Sequence, residues 1–186
     1  MASEPRFVKD VSSILAKQGA ISEGEALAMQ EAFDRSSQEA FDQFLLDEGF
    51  VDEDDLLKAL SDYYQVPSFS VGDYFFNTRL LRMFPKSFLL RNAVIPVERD
   101  ENMFIMVAAH PNDETLPAKI GEHVSYDIRF RVGIYGDICN AVKEFYDKAT
   151  TQEPLDIDMS AKRRLQQDAK KAQKGLVDIE DLIDKE

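Results

Sequence analysis

The feature that most constrains this chain is an internal repeat. The stretches ILAKQGAISEGEAL and FLLDEGFVDEDDLL share the form apolar–apolar–x–x–x–Gly–x–apolar–(Ser/Asp)–Glu, with Gly19 and Gly49 at equivalent places 30 residues apart. A glycine closing an apolar periodic run is a helix stop, because it takes the left-handed conformation without a Cβ clash. A Ser or Asp soon after it is a helix start. Each unit therefore reads as helix–turn–helix. In the first, Phe7, Val8, Val11, Ile14 and Leu15 fall at helical spacing, and Gly19 stops the helix. Ser22 with Glu25 makes a capping box, and Ala26, Leu27, Met29, Gln30 and Phe33 follow. In the second, Phe41, Phe44, Leu45 and Leu46 precede Gly49, Asp52 is the cap with Asp55 three on, and Leu56, Leu57, Ala59 and Leu60 follow. The polar stretch Asp34 to Gln38 joins the two units. Val66-Pro67 ends the helical region, since proline and the residue before it resist helix.

The texture then changes. PSFSVGDY reads as a connector with room for a short strand. Asn77 caps a helix carrying Leu80, Leu81, Met83 and Phe84, which Pro85 breaks or restarts through Phe88, Leu89 and Leu90. AVIPVER and MFIMVAA are apolar runs around Asp100-Glu101-Asn102, a hairpin signature. Asn112 or Asp113 is the expected cap of a short helix weakened by Pro117 and Gly121. DIRFRVGI alternates as a strand with one wet face, and YGDICNAVKEFYDKA is a helix with Ile138, Val142, Phe145 and Tyr146 on one side. The expectation is an α+β chain. Residues 1–66 form a helical repeat subdomain and 67–149 a small mixed α/β subdomain with about three strands. Residues 150–186 are a linker and flexible acidic amphipathic tail, in which Leu176, Ile179, Leu182 and Ile183 share one helical face as a candidate partner-binding stripe.

Charge narrows the function. The net charge is −13, from 35 acids against 22 Lys plus Arg. That opposes binding to nucleic acid or anionic lipid, which needs clustered cations. The single cysteine, Cys139, permits no internal disulfide. MASEPRFVKD lacks the basic and apolar regions of a secretory signal, and no stretch nears the ~18 apolar residues of a membrane span. The chain is expected in the cytoplasm, without membrane insertion.

Catalytic patterns are missing. There is no phosphate-binding G-x-x-x-x-G-K-[ST] loop, no G-x-G-x-x-G, no H-E-x-x-H and no C-x-x-C. His110, His123 and Cys139 match no metal-ligand spacing, so neither a metal nor a cofactor is expected. His110-Pro111-Asn112-Asp113 reads as a turn. Cys139 reads as a small core residue, and the adjacent acids Asp54-Asp55 and Glu180-Asp181 as solvated helix faces. The chain is read as no enzyme.

The collinear order of the repeat, LLKALSDYYQVPSFSVGDY, RLLRMFPKSFLLRNAVIPVERDENMFIMVAAHPND and YGDICNAVKEFYDKA resembles the N-terminal domain of the type II secretion and type IV pilus assembly ATPases, the GspE/PilB/MshE group, over residues 7 to 148. The resemblance implies a bacterial accessory domain that docks onto other components of such a machine, while catalysis lies in a separate domain. The expected partner is thus a protein of the secretion or pilus machinery.

Part of that family binds cyclic di-GMP through tandem motifs of the form R-L-G-x-x-L-x-x-x-G-x-x-x-x-x-x-L-x-x-x-L-x-x-Q. On the second repeat, Leu45, Gly49, Leu56 and Leu60 match the scaffold, but Ala40-Phe41-Asp42 replace Arg-Leu-Gly and Tyr63 replaces the final Gln. On the first, Leu15 and Gly19 match, but Asp10-Val11-Ser12, Ala26, Gln30 and Phe33 depart from it. Arginine would pair bidentately with phosphate and stack on guanine, whereas aspartate repels phosphate. Arg35, in the inter-repeat turn, is the one arginine assigned to the repeat. The expectation is a non-catalytic protein-interaction domain that keeps the scaffold and has lost the ligand site. The alternative is a cyclic di-GMP sensor with altered contacts, holding ligand on backbone groups and the helix N-termini near Ser22 and Asp52.

Overall fold

In the computed structural model, which describes residues 5–38, 40–72 and 74–151, both repeat glycines are left-handed, with φ of 77° at Gly19 and 69° at Gly49. Each closes its helix by the same pair of bonds. Ala20 N–H donates to Leu15 C=O at 3.1 Å and Gly19 N–H to Ala16 C=O at 3.1 Å; Phe50 N–H donates to Leu45 C=O at 2.9 Å and Gly49 N–H to Leu46 C=O at 3.0 Å. The repeat in sequence is thus a repeat of helix-terminating geometry. It gives α1 (Pro5–Gln18), α2 (Glu23–Arg35), α3 (Phe41–Asp47) and α4 (Glu53–Tyr64).

The caps form as expected. Ser22 Oγ accepts the Glu25 N–H while the Glu25 carboxylate accepts the Ser22 N–H, and Asp52 accepts the Asp55 N–H. Phe7, Val11, Leu15, Met29, Phe33, Phe41, Leu45, Leu56 and Leu60 meet in one apolar cluster. Its aromatic rings pack edge to face, Phe33 lying 5.0 Å from Phe41 and Phe7 5.1 Å from Tyr63.

Beyond Pro67 the connector adds only a single parallel bridge, Ser68 to Val132. Asn77 caps α5 (Thr78–Leu81), and Pro85 restarts the chain as α6 (Lys86–Asn92). β1 (Val94–Asp100) and β2 (Met103–Ala108) form the hairpin, with a register shift between Pro96 and Glu98. Pro96 has no N–H to donate and is tolerated because β1 is an edge strand. After α7 (Leu116–Gly121) the chain returns as β3 (Asp127–Val132), parallel to β2, so the sheet order is β1-β2-β3. The chain then enters α8 (Tyr135–Thr151).

Neither Asn112 nor Asp113 caps α7, contrary to expectation. The N-cap is Thr115, and the Asp113 carboxylate accepts instead from Thr115 N–H at 2.9 Å and Thr115 Oγ1 at 2.6 Å, closing the turn before the helix.

The α+β class holds. A second apolar cluster joins the sheet to α5–α8 through Leu81, Phe84, Leu89, Ile95, Phe104, Met106, Ile120 and Val142. Val132 and Ile134, however, are buried in the helical cluster, so the end of β3 serves both. Packing divides the chain into residues 1–146 and 147–186, and both apolar clusters lie within the first unit. The stripe of Leu176, Ile179, Leu182 and Ile183 lies outside the described residues, as does the pair Glu180-Asp181. No helix among the described residues is long and apolar enough to cross a membrane.

Candidate binding cleft

The outer face of α1 and the C-terminal turn of α4 border an open cleft of about 640 Å³, lined on α1 by Arg6, Asp10 and Lys17, on α4 by Asp62 and Tyr63, and by Asn112 from the turn after β2. Its charges nearly cancel. Arg6 stands 3.6 Å from Asp10 with 87% and 43% of the two side chains exposed, so this pair contributes little. Asp62 accepts from Gln18 Nε2 at 2.7 Å. Arg6 corrects the arginine inventory: it lies in the first turn of α1, one turn before Asp10, which occupies the first position of the first degenerate motif.

The motif scaffold is buried. Leu15, Leu45 and Leu56 have no exposed surface and Leu60 is 2% exposed, while Gly19 and Gly49 form the turns. The four leucines shape the helical body, while the two glycines are exposed.

Asp42 does not take the place expected of it. Instead of facing outward to repel phosphate, it is buried, and its Oδ2 accepts the backbone N–H of Tyr135 at 2.9 Å. Tyr135 is the first residue of α8, so the carboxylate caps that helix at its positive end. Burial raises the Asp42 pKa, opposed by the hydrogen bonds from Tyr135 and Gln43 and by the charge of His110. Burial likewise raises Asp137, reinforced by the charges of Glu53 and Asp42. Next to this cap, Gly136 lies so close to Gln43 that a Cβ there would overlap the Gln43 side chain. The third position of the second motif has become a structural tie between the repeat and α8.

The helix N-termini offer no open anion site either. The α2 and α4 termini are occupied by their own Ser22 and Asp52 caps, and their first turns carry Glu23, Glu25, Glu53, Asp54 and Asp55. The remaining sequence candidates have structural settings. His110 opens a turn closed by Asp113 N–H donating to its carbonyl, and its Nδ1 lies 3.1 Å from the Tyr64 hydroxyl. His123 packs 4.5 Å from the Phe88 ring. Cys139 is buried, and burial pushes its thiol pKa up. Asp54 is exposed and Asp55 half-buried. No group of three His, Cys, Asp or Glu among the described residues is placed to hold a metal ion.

Residues 64–152 match the family model of the MshEN domain. The match spans just under half of the chain. The MshEN domain is an N-terminal regulatory and docking domain of secretion and pilus ATPases rather than a catalytic one, which upholds the resemblance drawn from sequence. Among solved structures, the chain resembles the structure of MshE with cdg, at a TM-score of 0.56 and 16% identity over 73% of this chain and 98% of that chain. It also resembles the N-terminal domain of XpsE, at a TM-score of 0.48 and 13% identity over 77% of this chain and 96% of that chain. At this identity the likeness to MshE establishes a shared fold. No curated protein sequence matches the chain.

Proposed function

We propose that this protein is a non-catalytic docking and regulatory module that works in the cytoplasm on a protein component of a secretion or pilus machine. The observation that carries the reading is the fate of Asp42. At the position where the ligand-binding form of the motif places glycine, this chain has a buried carboxylate committed to the N-terminus of α8. The acids in the first turns of α2 and α4 support it as well, since they oppose any phosphate approaching those termini.

A second reading has its own observation. Arg6, Lys17 and Tyr63 line the same cleft, and a guanidinium with an aromatic ring is a combination that can hold a nucleotide. The solved relative MshE was captured with cdg, which makes cyclic di-GMP the ligand to try.

Titration of cyclic di-GMP into the full chain, followed by calorimetry and amide chemical shifts, separates the two. The docking reading expects no saturable heat and no shifts on α1–α4. Saturable binding with shifts on Arg6, Lys17 and Tyr63, lost in Arg6→Ala, would replace it with the sensor reading.

A further inference from the structure

The sheet has an open edge. In a parallel pair, successive residues send their backbone groups alternately to the two sides of the strand. On β3, Asp127 N–H donates inward to Asn102 C=O and Gly133 N–H inward to Ala108 C=O, both toward β2 or the turn before it. Val132 points the other way: its N–H donates to Pro67 C=O at 2.9 Å and its C=O accepts from Phe69 N–H at 2.9 Å. The same alternation directs the N–H and C=O of Ile128 and Phe130 outward. Among the described residues, no backbone hydrogen bond meets them on that side. The connector covers the edge only at Val132.

The side chains along this edge are selective. Arg129 and Arg131 project to one face and Ile128 and Phe130 to the other, with Arg131 over the Phe69 ring at 5.5 Å from its centroid. In a chain of net charge −13, two arginines on alternate positions of an open edge are a local reversal of sign. Such cations disfavour self-pairing in the antiparallel registers that oppose arginine to arginine, although Asp127 shares their face. They also define the strand that is accepted: one with carboxylates beside Arg129 and Arg131 and apolar residues beside Ile128 and Phe130.

We infer that β3 docks an extended acidic segment of a partner protein, with alternating acidic and apolar residues, as a fourth strand along residues 127–131. Main-chain bonds to Ile128 and Phe130 would hold it, and the two arginines would read its charge. The inference rests on the docking reading above and supplies the recognition chemistry of the partner.

The test uses the full-length isotope-labelled protein and the peptide acetyl-Asp-Val-Asp-Val-Asp-Val-amide, with the same peptide bearing Lys for Asp as control. The expected result is shifts centred on 127–131 and amide exchange at Ile128 and Phe130 slowed by roughly tenfold or more. The double variant Arg129→Glu with Arg131→Glu should weaken the acidic peptide by roughly tenfold at low salt and gain affinity for the Lys peptide. Arg129 is exposed and Arg131 half-buried over the Phe69 ring, so the amide spectrum of the variant is the check that it folds. Equal binding of both peptides, or unchanged exchange at Ile128 and Phe130, overturns the inference. Peptide failure combined with no cyclic di-GMP binding would overturn the edge and leave the docking reading standing. Cyclic di-GMP binding would overturn the docking reading itself.

Discussion

Asp42 and Tyr135 are 93 residues apart in the chain and joined by one hydrogen bond of 2.9 Å. A carboxylate on α3 ends the unsatisfied N–H row of α8, from inside the protein. Replacing it separates two effects. In Asp42→Ala the Tyr135 N–H loses this acceptor at a partly buried site, and stability should fall by about 1–3 kcal/mol. In Asp42→Asn the amide oxygen can still accept, so the loss should be smaller. Urea unfolding of the two variants measures the difference, and equal losses would show that the hydrogen bond contributes nothing.

The same carboxylate sets a pH dependence. Burial raises Asp42 and Asp137 above the ordinary aspartate value, so the folded protein retains protons that the unfolded chain has already released. The stability due to these groups is therefore fully present below the ordinary aspartate range and is lost as pH rises through their raised values. Between those limits the unfolding midpoint of the parent should fall with pH more steeply than that of Asp42→Asn. Parallel curves would mean that Asp42 does not titrate there.

The repeat makes an internal control. A Cβ at Gly19 or Gly49 would meet no atom within 4 Å, so Gly→Ala at either site tests only the left-handed backbone. Each substitution should cost about 1 kcal/mol, and the two costs should agree closely. Chemical denaturation checks both. A much larger cost at one site would mean that the units are not equivalent in the folded state.

Two further glycines should behave differently from each other. A Cβ at Gly133 would stand 2.5 Å from Val107 Cγ1 in the core, so Gly133→Ala should cost roughly 1–3 kcal/mol by overpacking, partly relieved by Val107→Ala. At Gly136 the obstacle is the flexible end of Gln43, which can swing away, losing its 2.6 Å bond to Asp47. Gly136→Ala should cost less. Thermal melts of the three variants decide the order.

Phe41 stands at a motif position and is fully buried between the rings of Phe33 and Phe44. Phe41→Ala should cost about 3–5 kcal/mol, and the loss should register in the folding of the whole unit rather than in one helix. Circular dichroism during urea unfolding reads both.

What was legible in the sequence was local. The Gly19 and Gly49 stops, the Ser22–Glu25 box, the Asn77 cap and the hairpin around Glu101 each depend on residues within a few places of one another. What was not legible was long-range. Nothing near Asp42 reveals that Tyr135 will present its N–H to it, and an acid in a degenerate motif reads as repulsive until its surroundings are known. The parallel pairing of β3 with β2 and the open edge it creates are of the same kind. The α7 cap was missed for a local reason: Asp113 had two competing uses, and the turn took it. Arg6 belongs to α1, since proline is at home in the first turn of a helix and Pro5 opens this one.

Val132 and Ile134 have a consequence for how the molecule comes apart. A strand that begins in one apolar cluster and ends in the other works like a shared beam between two rooms. Cutting the chain at Pro67 and removing the helices would leave both side chains bare, so neither piece would be expected to survive alone as a stable fragment. A protease should therefore find residues 5–146 either whole or open throughout, and a force pulling on the helices would be felt at once in the sheet.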